Sequence, residues 1–517
     1  MMKKYIGITI GPIFETINLS SSPLQLWLGS FTFSTISRLI CQELVDAGLE
    51  NDKFISPYYN PEEKGLNQND GIGLFHDRII FENYKKRTEK FPNEKFSLED
   101  IETIKNKVIE DIAVKLNASN NDGDKAFKAE FFKEYLMIYA TKFEAENPIL
   151  EGGLILDNLE LSRSFVRNQT ENPFLLSNDL IKKTSMFKEI SPKEFQLIAK
   201  TGDVKSLPDI AKAKGDDYKK RKYFAIVRAD GDNVGSIISK LSEGEFNKFS
   251  CCCLNYCRAA AELVKKFGGV TIFSGGDDLL AILPCENENG ETVFNFSKDL
   301  MDKFDENICK NYPQSNASLS IGITICYKAF PLYEALEDSQ KMLFDVAKEN
   351  GKNCVVVHLQ KHSGQSEGIL IPKDKLDMFI EFQNKILEHK KALNQDEESK
   401  QDEALKQNDA LLLSALHKIS LFRDFFLNAD NDNTKIDNIF KNTFDGPEHK
   451  GDFIRKTLPK FYKECEEICS VDVITFEDAK KDETLKNRIG EYKVGRDRVY
   501  SICYILRVLK FFVEKGE

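Results

Sequence analysis

The spacing of apolar positions divides the chain into stretches of different period. YIGITI (5–10) is a short apolar run with the character of a buried strand, broken by Gly11-Pro12. Leu26, Phe33, Ile36, Leu39 and Ile40 share one helical stripe within Pro23–Ala47. GIGLFHDRIIFE (71–82) and EGGLILDNLELS (151–162) read as strands, so residues 1–162 are expected to form one α/β domain. Residues 163–218 read as a polar, helical connector with few chemical cues.

Residues 219–362 carry the clearest pattern. YFAIVRAD (223–230) is an apolar strand. Phe246, Phe249, Cys253, Cys257, Ala260 and Val264 then recur at helical spacing, with Gly268 as the expected C-terminal cap. VTIF, SGGDD and LLAIL (270–283) predict a hairpin around a Gly-Gly-Asp-Asp turn. A helix over 291–310, the strand ASLSIGITIC (317–326), a helix from Pro331 and the strand VVVHL (355–359) follow. The order β-α-β-β-α-β is the ferredoxin-like split pattern, in which helices pack on one face of an antiparallel sheet. The fold class is therefore α+β. Beyond Pro372 strand signals almost vanish, and residues 363–517 are expected to form a helical C-terminal domain.

A length of 517 residues, at about 150 per domain, agrees with three to four such units. Lys and Arg number 72 against 83 Asp and Glu, a net charge of −11. That balance argues against a protein whose whole surface clamps nucleic acid, but leaves room for a local phosphate site. The twelve cysteines include no CxxC pair, and Cys251, Cys252, Cys253 and Cys257 crowd one helix, so reduced thiols are expected and no zinc site is evident. No apolar run reaches the roughly 18 residues of a membrane span, and a cytoplasmic protein with no membrane partner is expected.

The chemistry sits in two acidic strings. Asp230 ends the first apolar strand in RADGDNVG, and Asp277 and Asp278 lie at the tip of the hairpin. The split pattern places that strand beside the hairpin, so the turn brings Asp277 next to Asp230. Carboxylates converging at a sheet edge repel one another unless a divalent cation neutralises them, and Mg²⁺ (or Mn²⁺) suits one or two carboxylates with phosphates completing its shell. Gly275 and Gly276 let a triphosphate approach the backbone. Ser274 either hydrogen-bonds a phosphate or braces the turn. Lys348, in AKENGKN, is a candidate point charge for phosphate, and Lys352 a weaker one.

RADGDNVG, SGGDDLLAIL and AKENGKN, in this order, resemble the second palm domain of the large subunit of type III CRISPR effector complexes, the Cmr-type (III-B) branch. The same core is similar to GGDEF cyclases. GPIFETINLSSSPLQLWLGSFTFS, with its LW-x-GS string, and GIGLFHDRIIF resemble that subunit's first, degenerate palm. The resemblance implies two ferredoxin-like palms (1–162 and 219–362) with the helical connector and helical C-terminal domain already described. It also implies an RNA-activated nucleotidyltransferase that uses ATP and Mg²⁺ to make cyclic oligoadenylate or, in some members, an AMP conjugate of S-adenosylmethionine. By match, Asp230, Asp277 and Asp278 are the catalytic metal ligands, while Asp232 and Asn233 join Ser274, Gly275, Gly276 and Lys348 in binding nucleotide. Guide RNA, target RNA and small- and backbone-subunit proteins are the implied partners.

The chain departs from the family in two respects. It begins at the first palm, which implies that the HD nuclease domain is lacking. His76-Asp77 is an HD dipeptide, but in a strand-like segment it reads as structural. The zinc-binding CxxC pairs of the family are missing. KKRK (219–222) and Arg488, Lys493, Arg496 and Arg498 are basic groups that suit RNA or a partner subunit, or simply solvent. Two alternatives remain open on the residues alone: a free-standing GGDEF-type cyclase using GTP, and a scaffold subunit with vestigial palms.

Overall fold

The computed structural model describes residues 3–63, 70–88, 93–117, 129–161, 172–199, 202–212, 222–242, 244–395, 412–429, 432–445 and 453–513. KKRK lies outside this set except for Lys222.

The first sheet contains β1 (Lys3–Gly11), β2 (Phe54–Ser56), β3 (Arg78–Glu82) and β4 (Met137–Ala145) in the order β2-β3-β1-β4. All its pairings are antiparallel. Helix α1 (Pro23–Asp46) joins β1 to β2, helix α2 (Leu98–Leu116) precedes β4, and helix α3 (Pro148–Leu161) follows it. The expected strand over 151–162 is thus helix α3, while β2 and β4 are strands that the spacing did not disclose. Of the 71–82 stretch only Arg78–Glu82 is strand.

α1 starts where Ser22 accepts a hydrogen bond from the Gln25 N–H, with Pro23 at the first helical position. It is far more enclosed than one stripe implies, because every residue from Pro23 to Ser37 is buried. The reason is that α1 lies between the two halves of the chain. Trp27 donates to the Gly71 carbonyl (2.7 Å), and Ser30 reaches the Ile272 carbonyl (2.8 Å) in the second sheet. The LW-x-GS string therefore docks the first palm-like unit on the second. The connector is less polar than its composition suggests: Phe174 stacks on Phe33, and Phe195 packs on Trp27.

The second sheet has eight strands: β5 (Tyr223–Asp232), β6 (Val270–Gly275), β7 (Asp278–Pro284), β8 (Ser318–Tyr327), β9 (Cys354–Gln360), β10 (Ser366–Pro372), β11 (Cys469–Val473) and β12 (Tyr492–Gly495). Their order is β12-β11-β10-β9-β8-β5-β7-β6. The core β8-β5-β7-β6 repeats the split pattern of the first sheet, with α4 (Glu245–Phe267) and α5 (Val293–Phe304) as its crossovers. Gly268 ends α4 in the left-handed region (φ +90°). α6 (Leu332–Lys341) leads to β9, which pairs parallel to β8, so the sheet is not wholly antiparallel.

The sheet then runs past the expected boundary at 362, since β10 pairs with β9 and β11 with β10. The C-terminal region is accordingly not all helical. Its helices, including α7 (Lys373–Gln395) and α8 (Arg498–Val513), pack beside three strands, β10, β11 and β12, that extend the sheet. The twelve cysteines are free thiols. Among the described residues no helix is long and apolar enough to cross a membrane.

Candidate active site

Along β5, Arg228, Asp230 and Asp232 share one face because side chains alternate with period two. β5 pairs with β7 (Ala229 opposite Leu279) on one side and with β8 (Asp230 opposite Ser320) on the other. The β6–β7 hairpin closes at Gly276-Asp277, where Gly276 takes φ +70°. A Cβ on Gly231 would stand 2.6 Å from Asp277 Oδ2. The Asp277 carboxylate therefore rests on the β5 backbone at Gly231. The first unit holds this hairpin in place: the Ser274 N–H donates to the Gly73 carbonyl (3.0 Å), beside the Ser30–Ile272 bond.

Burial first, and then the Asp230 charge, push the Asp277 carboxyl up to about 7. Asp278 is also pushed well above the carboxylate range, by burial and then by Asp277 and Asp230. Lys348 answers part of this charge. Its ammonium pairs with Asp230, donates to the Gly231 carbonyl (2.9 Å) and stands 3.6 Å from Asp232 Oδ1. It gets there because α6 continues as a π-helical segment, Met342–Ala347, laid directly on β8. A Cβ at Gly322 would meet the Leu343 nitrogen at 2.5 Å, so only glycine admits that segment.

The nearby polar residues divide by what they touch. Asp232 is buried and accepts from Ser318 Oγ (2.8 Å), Ser320 Oγ (2.8 Å) and the Asn353 N–H (3.0 Å). Ser274 is fully buried and donates to the Cys257 carbonyl (3.0 Å), which is the bracing alternative for its hydroxyl. Asn233, in the left-handed region, donates to the Asn316 carbonyl (3.2 Å) and accepts from Lys352 (3.1 Å). Asp230, Asp277 and Asp278 meet at the turn, whereas Asp232, Asn233 and Ser274 are engaged by the protein around it.

Among the described residues no group of three His, Cys, Asp or Glu side chains is arranged to hold a metal ion. The donor set nevertheless fits one. Asp230, Asp277 and Asp278 are hard oxygen donors that converge on one turn and repel one another, with Lys348 as the cation beside them.

Two clefts open on this group. The smaller, about 350 Å³, has Gly275, Gly276, Asp277 and Asp278 on one side and Ser56–Tyr58 and Leu74–Arg78 on the other, with Cys253 and Leu254 of α4 in its wall. The larger, about 650 Å³, runs between the two units along Asp278, Leu279 and Arg228. His76 and Asp77 line both. His76 lies just before β3 and not within a strand, its Nε2 2.9 Å from Ser56 Oγ, and burial lowers its ring to about 4. The position of the dipeptide at the mouth of the site was not legible. Arg228 was also missed, although the polar alternation of RADGD is its signal. Three of the four C-terminal basic residues are tied to acids: Arg488 to Glu491, Lys493 to Asp478 and Arg498 to Glu466.

Residues 223–356 match the second palm domain of Cas10/Cmr2. A stretch of 203 residues is 28% identical to the CRISPR system Cmr subunit Cmr2 of Pyrococcus furiosus, covering 34% of this chain and 23% of that protein. The chain thus spans under a quarter of that relative's length. Crystal structures of the Csm1–Csm4 cassette without ligand, with cA4 and with one ATP superpose on 99%, 99% and 100% of this chain and 70% of theirs. Their TM-scores are 0.52, 0.51 and 0.52, each at 14% identity, which shows a shared fold. The likeness to Cas10/Cmr2 thus lies in a second palm domain at residues 223–356, within a fold shared with the Csm1–Csm4 cassette.

Proposed function

We propose that this chain is the RNA-activated nucleotidyltransferase subunit of a type III CRISPR complex, transferring AMP from ATP to make an adenylate second messenger. The observation that carries the reading is the convergence of Asp277, seated on Gly231, with Asp278 and with Asp230 and its partner Lys348. The Csm1–Csm4 cassettes of the same fold, in complex with cA4 and with one ATP, support ATP as donor. The product is cyclic oligoadenylate or an AMP conjugate of S-adenosylmethionine.

Asp230, Asp277 and Asp278 would hold Mg²⁺ or Mn²⁺, which supplies charge neutralisation on the phosphates and a more acidic attacking hydroxyl. Gly275 and Gly276 leave the turn backbone open to the triphosphate. Lys348, on a π-helical segment fixed against β8, offers a mobile positive charge for the phosphate oxygens. Cys253 and Leu254 give the smaller cleft an apolar wall suited to a base. A hydroxyl held on the other side attacks the α-phosphorus, and pyrophosphate leaves. Guide and target RNA are bound together with partner subunits in the cytoplasm. The net charge of −11 and the pairing of Arg488, Lys493 and Arg498 with acids support an RNA grip shared with partners.

Labelled ATP or GTP, given with Mg²⁺ to the complex with and without target RNA, tests this. Product is expected from ATP, only with target RNA, and none from an Asp277→Ala/Asp278→Ala double variant. Product from GTP without RNA would show a free-standing cyclase, and unchanged product from the double variant would show a non-catalytic site.

A further inference from the structure

Lys348 stands at the acids of the turn as a cation supplied by the chain itself. Among the described residues it is the only basic side chain in an ion pair with them: it pairs with Asp230 and lies 3.6 Å from Asp232 Oδ1. Arg228, on the same strand, gives its Nε to Ser339 Oγ (3.2 Å) instead. The Lys348 and Asp230 side chains are only 17% and 19% exposed, so solvent and salt screen their attraction weakly. The ammonium also donates to the carbonyl of Gly231 (2.9 Å), the same residue against which Asp277 rests.

A divalent ion bound by Asp230, Asp277 and Asp278 would need the Asp230 carboxylate that the ammonium now holds. Two cations on one carboxylate repel each other, the more so where screening is weak. The backbone beneath Lys348 is fixed, because Met342, Leu343, Val346 and Ala347 of the π-helical segment are buried against the sheet. Movement is therefore left to the flexible, unbranched side chain. Phe344, one turn earlier and 43% exposed, has its ring centroid 6.0 Å from Nζ and gives the stem an open apolar wall to turn along. A displaced ammonium needs a new anion, and Asp232 is already engaged by Ser318, Ser320 and the Asn353 N–H. Phosphate oxygens at the Gly275-Gly276 turn would supply it.

We propose that Lys348 is a built-in counter-ion that keeps the divalent cation out of the empty site and gives up its place only when a triphosphate receives it. The proposal rests on the reading of Asp230, Asp277 and Asp278 as metal ligands. The step is an exchange of ion pairs: the ammonium leaves Asp230 and the Gly231 carbonyl for phosphate oxygens, with no covalent bond made or broken. Cation and nucleotide then load cooperatively. Release of Lys348 from Asp230 favours both, and each ligand lowers the cost of that release for the other. Without nucleotide, the site neutralises its own acids and holds no idle ion.

Mn²⁺ binding to the full chain without nucleotide, read from the free-ion electron paramagnetic resonance signal, tests this. Lys348→Met keeps the stem and removes the charge, and is expected to bind Mn²⁺ about tenfold or more tighter than the parent chain. The same variant is expected to bind the Mn²⁺ complex of a non-hydrolysable ATP analogue about tenfold more weakly in titration calorimetry. Lys348→Gln provides a second variant, expected to shift both affinities in the same directions. A lysine that only braces the acids predicts the opposite for the free ion, since its loss would loosen the ligands. Mn²⁺ affinity that falls or is unmoved in both variants overturns the proposal. Tighter Mn²⁺ with nucleotide binding unmoved overturns it too, because the charge would then have no second partner.

The Asp277→Ala/Asp278→Ala variant separates this exchange from the metal site on which it rests. Mn²⁺ binding lost there and tightened by Lys348→Met supports both. Mn²⁺ binding lost there but unmoved by Lys348→Met overturns the exchange and leaves the metal site. Mn²⁺ bound equally by the parent chain, Lys348→Met and the double-alanine variant would place the ion elsewhere and overturn both.

Discussion

Replacing Asp232 with Asn separates a residue that touches nucleotide from one that holds the site together. The carboxylate accepts three hydrogen bonds, from Ser318, Ser320 and the Asn353 N–H, and lies 3.6 Å from Lys348. An amide keeps one oxygen, so at least one donor loses its acceptor and an NH₂ group is turned toward hydroxyl or amide hydrogens. One hydrogen bond to a charged group contributes about 1.5–3 kcal/mol, and a stranded buried donor costs about 1–3 kcal/mol more. The expected loss is about 3–5 kcal/mol, concentrated where β5 meets the loop 351–353. That loop is committed to its shape, because Gly351, Lys352 and Asn353 all have positive φ. Hydrogen exchange read by mass spectrometry should show the peptide around Asn353 opening about a hundredfold or more faster, since each tenfold corresponds to about 1.4 kcal/mol. ATP turnover should fall with it, through the displaced Lys348. Turnover lost with exchange around Asn353 unchanged would refute the reasoning and return Asp232 to the nucleotide.

Three further outcomes are expected. Gly231→Ala should cost about 1–3 kcal/mol in denaturant unfolding and abolish transfer, because its Cβ would sit 2.6 Å from both Asp277 Oδ2 and Val234 Cγ2; activity retained would show that Asp277 is not seated as described. Asp277 has a folded pKa of about 7 against an ordinary 3.8, so the folded state binds the extra proton; without divalent cation, stability should fall as pH rises from about 4 to 7, and Asp277→Asn should flatten that slope in thermal melts while eliminating transfer. Tyr492 of β12 and His358 of β9 (2.7 Å) both bond the buried Asp338 of α6, so Tyr492→Phe should cost about 1–2 kcal/mol and raise hydrogen exchange over 332–347; unchanged exchange would show that β12 does not steady the helix carrying Lys348.

The second unit was legible because its strands are long apolar runs enclosed in the sheet and its turns carry glycine. β5 through β9 and the α4 cap at Gly268 lie where periodicity puts them. The first unit was less so. β2 has three residues, too few for any period to register, and β4 mixes buried and exposed positions without clean alternation. α3 looks like a strand because it combines Gly-Gly with branched residues. Its Gly152 is there because the Phe143 ring of β4 lies 2.6 Å from where a Cβ would be, a packing constraint between a helix and a strand. β11 and β12 were invisible because their pairing joins segments about a hundred residues from β10, which no local pattern records.

At the site, the convergence of Asp230 with Asp277 follows from topology and could be read. The engagement of Asp232 depends on serines 86 and 88 residues away, and the arrival of Asp77 depends on how two units dock. Neither is written in any short stretch.

The sheet that continues from β9 through β12 also fixes what can be separated from what. A palm severed after residue 362 would end in β9, whose residues Cys354 to Leu359 are all buried, leaving its outer row of backbone donors and acceptors bare. Such an edge is adhesive, and released palms should cross-pair into aggregates before they could act. The last third of the chain is therefore the selvedge of the catalytic fabric: exchange between relatives is expected to succeed when everything from Tyr223 to the C-terminal strands moves as one piece.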